Sequence, residues 1–224
     1  MEIPFTSAQF LAVFGRYNEA VWPSQIILNI LALIAIALLY YKRPITDRGI
    51  AAILSFFWSW MALTYHFMFF SKINPAAWLF GTVFLIAGIW FLWLGVIKGE
   101  LHFRFTRGLR GLSGTLLLIY SLIVYPILGY MLDHHYPDIP TFGLPCPTTI
   151  FTLGLLLFLA PPVHRSNFIV PLLWTVVGSI AAFRLGLLQD FGLLIAGVMG
   201  LTGVILNPGR HSNGSAPVEP DYRN

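Results

Sequence analysis

Seven apolar stretches, each about one bilayer thick, divide this chain into short polar links, and Lys and Arg are shared out very unevenly among those links. A helix that crosses hydrocarbon must satisfy every backbone polar group internally and needs ~20 apolar residues. The stretches run from about residue 22 to 41, 50 to 70, 75 to 97, 109 to 131, 147 to 163, 168 to 186 and 187 to 206. Taken alternately, one set of links holds Lys42, Arg43, Arg48, Lys98, Arg104, Arg107, Arg110, Arg165, Arg210 and Arg223. The other set holds Arg16, Lys72 and Arg184. Cytoplasmic links collect Lys and Arg. The pattern therefore predicts an N-terminus outside and a C-terminus in the cytoplasm. Reading the short fifth stretch as a re-entrant loop divides the charges less cleanly, so a full crossing is expected there.

Charged residues make up only 10% of the chain, against about 25% in soluble domains. So few charges cannot cover a soluble surface. The fold expected is an all-α polytopic membrane bundle of about seven helices. Residues 1–20 form an interfacial helix, 21–207 the membrane domain and 208–224 a disordered cytoplasmic tail. The net charge of +4 sits in the links as a topology determinant, and no basic run is dense enough for nucleic acid. The single cysteine, Cys146, excludes an internal disulfide and a multi-cysteine metal site. No phosphate-cradling loop, G-x-S-x-G or H-E-x-x-H motif is present, so the chain leans away from an enzyme.

Near the N-terminus, Thr6 and Gln9 have capping-box spacing. Phe10, Phe14, Tyr17 and Val21 then share one helical face, which predicts a short amphipathic helix on the outer membrane surface. Trp22, Tyr40, Tyr41, Trp78, Trp93 and Tyr130 fall at segment ends, as an aromatic belt requires. Gly81, Gly88 and Gly95, then Gly178, Ala182 and Gly186, then Gly197, Gly200 and Gly203 thin one side of three segments. Small residues let helices approach closely, either within one bundle or between copies in a homo-oligomer.

The topology gives each polar residue a depth. Gln25, Asn29, His66, Cys146, Thr148, Thr149, Thr152, Arg184, Gln189 and Asp190 all fall in the outer half, and the inner half offers mainly hydroxyls. Polar groups in hydrocarbon face partners or a wet cavity. Two readings follow: a polar, outward-open pocket, or polar glue between helices. Ser55, Ser59, Ala62 and His66 share one face of the second segment, which turns inward. Arg184 and Asp190 flank a tight turn and are expected to pair, with Asp190 as a proton or cation site in the alternative. Asp133, His134, His135 and Asp138 offer metal-capable chemistry in one loop, with a solvated polar loop as the plainer reading. Pro145 and Pro147 bracket Cys146 at a helix start, where the dipole favours a thiolate.

Three strings, Pro4-Phe5-Thr6-Ser7-Ala8-Gln9-Phe10-Leu11, Arg16-Tyr17-Asn18-Glu19-Ala20-Val21-Trp22-Pro23, and Pro145-Cys146-Pro147-Thr148 with Ile150-Phe151-Thr152, resemble a family of small bacterial multipass membrane proteins known as a domain of unknown function, DUF6064. The resemblance implies a bacterial inner-membrane protein and carries over no catalytic or ligand residue.

The function expected is a small transporter or ligand-binding membrane protein. Its candidate residues are Glu19, Gln25, Asn29, His66, Cys146, Thr149 and Asp190. The alternatives are an accessory scaffold, and a metal-dependent membrane enzyme using His66, His134, His135 and an Asp. The partners expected are the lipid bilayer and a small molecule or ion. No cofactor is expected, with a divalent or soft metal ion as the alternative.

Overall fold

The apolar stretches become eight helices in the computed structural model, which describes residues 4–205. They are α1 (Ser7–Val21), α2 (Ser24–Leu38), α3 (Pro44–Lys72), α4 (Ala77–Ile97), α5 (Leu109–Met131), α6 (Pro145–Leu156), α7 (Ser166–Leu185) and α8 (Leu188–Ile205). Apart from two isolated bridges, the described residues contain no β-structure. The segment predicted as a disordered tail lies outside the described residues. Five helices, α3, α4, α5, α7 and α8, are long and apolar enough to cross a membrane. Their outer faces carry exposed Leu79, Ile86, Leu116, Ile123, Ile169, Leu173, Leu194 and Val198, an inside-out distribution compatible with a membrane protein.

Two stretches depart from a simple span. The helix α2 passes the length test only together with α1, from which it bends by 88°. The helix α6 stops after 12 residues, roughly 18 Å at the α-helical rise. It ends ahead of Pro161 and Pro162, which cannot donate to a helical ladder. The chain continues as extended backbone paired with the α4–α5 link: Arg104 N donates to Phe158 O at 2.8 Å and Ala160 N to His102 O at 2.7 Å. Non-helical backbone at such depth is stable only when enclosed by protein. From Pro147 to Leu159 every residue is buried, so α6 is the axis of the bundle.

The glycine faces pack inside the chain. A Cβ at Gly88 would lie 3.0 Å from Ser55 O and from Ser59 N of α3, so the α3 and α4 backbones touch there. Gly200 meets Leu153 of α6, and Gly203 meets Leu157 just past its end. Gly186 differs: its φ of +72° makes it the left-handed C-cap of α7, with nothing within 4 Å of its added Cβ. The Gly88→Val substitution is expected to lower stability by about 2–3 kcal/mol, because neither backbone can yield. Unfolding of the detergent-purified protein measures it, and a loss below about 1 kcal/mol would contradict the contact.

The bundle has two unlike ends. One carries Asp47, buried at 3% exposure, which accepts from Phe103 N at 2.9 Å, from Arg104 Nη1 at 3.0 Å and pairs with His102 Nδ1 at 3.3 Å. His164 pairs with Glu100 at 2.9 Å beside it. At the other end α1 lies across the helices as a cap. Its Thr6–Gln9 capping box forms as predicted. The predicted face of Phe10, Phe14, Tyr17 and Val21 is buried, but against the bundle rather than laid open to a membrane surface. Phe10 and Phe14 contact Phe70 and Tyr65 of α3.

Candidate functional site

Beneath α1 lies a cavity of about 270 Å³, near the small end of the ~300–1,000 Å³ range of ligand pockets. Phe10 and Phe14 of α1 roof it, and Tyr65, Phe70, Phe80 and Trp174 wall it. Tyr125, Cys146 and Asp190 form its polar floor.

Local backbone irregularities aim these side chains. Residues Met61–Phe67 of α3 form a π-helical turn, and Tyr65 and His66 are both buried there. A second π turn covers Tyr120–Val124, directly before Tyr125 and Pro126. Pro126 has no N–H to close an i−4 bond, which loosens the preceding turn. Pro145 at the first position of α6 sets Cys146 in that helix's first turn. A short 3₁₀ turn, Leu188–Phe191, opens α8 and buries both Gln189 and Asp190.

Asp190 is 3% exposed. The Tyr125 hydroxyl donates to its Oδ1, and the Cys146 thiol faces the same carboxyl group. Tyr120 OH donates to Gln189 O at 2.7 Å, steadying the turn. The expected Arg184–Asp190 ion pair does not form. Gly186 reverses the chain between them and leaves Arg184 exposed. Among the described residues, no cationic side chain pairs with Asp190. The Trp174 indole N–H lies next to the Cys146 sulfur without reaching any acceptor at hydrogen-bond geometry.

The predicted polar residues do not converge. His66 is wholly buried behind the pocket wall, ringed by Phe84 at 4.6 Å, Tyr65 at 5.1 Å and Trp174 at 5.4 Å between ring centres. Neither ring nitrogen has a hydrogen-bond partner. Thr149 is buried with an unpartnered hydroxyl. Its neighbour Thr152 ties α3 to the α6 backbone: Trp58 Nε1 donates to Thr152 Oγ1 at 3.1 Å, and Thr152 Oγ1 to the Thr148 carbonyl at 2.8 Å. Glu19 is exposed on α1. His134 meets Gln189 at 3.3 Å while His135 meets Asp133 at 3.0 Å, so the two imidazoles serve different partners. The described residues hold no group of three His, Cys, Asp or Glu placed to share one metal ion.

Gln25 and Asn29 belong to a latch instead. Asn18, fully buried, donates to Pro137 O at 2.6 Å and Ile139 O at 2.7 Å, and accepts from Thr141 Oγ1 at 2.7 Å. Gln25 donates to Asn18 O and Asn29 to Gln25 O, both at 2.8 Å. Nearby, Trp60 Nε1 donates to Tyr17 OH at 2.8 Å. Burial raises the Tyr17 phenol above its ordinary range, which keeps it a neutral hydroxyl. The α5–α6 loop is thus fastened over α1.

Sequence reasoning placed Cys146 and Asp190 in the pocket and expected polar walls. The walls are aromatic. It missed Tyr65, Tyr125 and Trp174, which carry no motif, although Tyr125 stands directly before the helix-disrupting Pro126. It also missed Asp47, hidden in a link read as a topology signal.

A model of a family of unknown function, DUF6064, matches residues 7–213. No curated protein and no solved structure matches the chain.

Proposed function

The chain belongs to DUF6064, a family of unknown function, and we propose that it is a membrane protein that binds a small molecule in the aromatic pocket beneath α1. The observation that carries this is the cavity itself, built from seven helices around a buried carboxyl group. The apolar outer faces support burial in a bilayer. The end holding Arg43, Arg48, Arg104, Arg107 and Arg110 is cytoplasmic by the positive-inside rule, which puts α1 and the pocket on the outer side of a bacterial inner membrane.

Cys146 is the only cysteine and lines the cavity, so its accessibility reports on the pocket. In detergent-folded protein, methyl methanethiosulfonate is expected to modify Cys146. The Ala181→Phe substitution, which fills the cavity from α7, is expected to slow that modification at least about tenfold, since thiol reactivity follows access. A wild-type Cys146 that stays unmodified would remove the pocket reading and favour a scaffold.

A further inference from the structure

We propose that the pocket is selective for an amphiphilic organic cation, one ammonium group on a small apolar body. This rests on the reading of the cavity as a ligand site and names what the site takes. Asp190 sits on the floor, nearly solvent-free, and its neighbours Tyr125 and Cys146 are neutral donors. A carboxylate withdrawn from water without a counter-charge is costly to keep, and a cation delivered into the cavity supplies that charge. No Lys, Arg or His lines the cavity, so a phosphate or carboxylate ligand would meet no positive partner there.

The walls point the same way. Tyr65, Phe80 and Trp174 line the same cavity as Asp190. Aromatic faces attract alkylammonium groups and repel anions. An inorganic divalent ion fits poorly, because it demands six or more oxygen ligands or a set of soft donors. The floor offers one carboxyl group and one thiol. A weakly hydrated ammonium needs only one carboxylate and ring faces. The mouth lies between Pro4, Ala76 and Ile180, all exposed. It opens beside the apolar flank of α7, where an amphiphile lying at a membrane surface can enter body and head together.

The test needs no substitution at first. Wild-type protein in a non-ionic detergent is treated with three methanethiosulfonates, carrying a trimethylammonium-ethyl, a methyl or a sulfonatoethyl group. Each Cys146 rate is divided by that reagent's rate with a free thiol, so one thiolate serves all three. The cationic reagent is expected to outpace the anionic one by about thirtyfold, the joint effect of Asp190 and the rings. In the Asp190→Asn variant the ratio is expected to fall towards one. Should that variant not fold, wild type still decides: 2-phenylethylammonium must slow the methyl reagent at concentrations where 2-phenylethanol and phenylacetate do not. If the methyl reagent reacts but charge makes no difference, the cation proposal is overturned and the pocket reading stands. If the methyl reagent itself fails to react, the pocket reading falls first.

Discussion

Replacing Asp47 by alanine is expected to cost about 3–5 kcal/mol, the scale for removing one partner of a buried ion pair. The carboxylate is 3% exposed and takes the Phe103 amide, the Arg104 guanidinium and the His102 imidazole at once. Without it the Phe103 amide is buried unsatisfied, and the Arg104 charge, only 17% exposed, loses this partner. The damage spreads along the backbone. Residues 102–104 are paired to 158–160, and that pairing finishes the path of α6 through the bundle. Asp47→Asn keeps one acceptor and is expected to lose about half as much. Equilibrium unfolding of the purified protein measures both. A loss under about 1 kcal/mol for the alanine variant would show that Leu101 and Phe103 anchor the segment by burial alone.

Asp47 also shows where reading the chain stops. A positive-inside count uses Lys and Arg, and gives Asp little weight. The residue therefore vanished into a link whose charges were read only for topology. Its partners lie 55 to 57 positions away, a separation that periodicity does not encode. The helices themselves were legible because bilayer-length apolar runs and link charges are local signals. So was α1, since its capping box and apolar face are written within sixteen residues. What the face packs against was not: an amphipathic pattern says that a helix has an apolar side, and both lipid and protein can cover it. The same ambiguity misled the polar inventory. Gln25, Asn29, His66 and Asp190 share a depth, and depth alone does not set direction around a helix axis. The π turns at Met61–Phe67 and Tyr120–Val124 rotate the residues beyond them, and only the second has a sequence cause, in Pro126. The pocket emerged as aromatic because Phe and Tyr at mid-span positions read equally well as lipid-facing or inward.

Asn18→Ala is expected to open the roof of the pocket. Its amide holds two carbonyls of the α5–α6 loop and receives the Thr141 hydroxyl. The loop then passes over α1 closely enough that a Cβ at Gly15 would collide with the Asp138 carboxylate. Losing three hydrogen bonds and leaving two carbonyls unsatisfied is expected to cost about 3 kcal/mol. If that energy keeps α1 seated, the opened state rises about a hundredfold, and Cys146 modification by the neutral methanethiosulfonate should rise with it. The Asn18→Asp variant sharpens the test. It keeps the shape and the acceptor for Thr141, but replaces the one nitrogen that donates to both carbonyls by an oxygen facing them. It is therefore expected to open the cap at least as far as alanine does, a result that a simple loss of side-chain volume does not produce. Both variants lie in α1 and leave the α3–α4 glycine contacts in place. Hydrogen exchange should accordingly accelerate in residues 7–21 and 137–143, while the helix centres stay protected. An unchanged Cys146 rate beside accelerated exchange in α1 would mean that the ligand route runs past Ile180 alone, with α1 as a fixed wall.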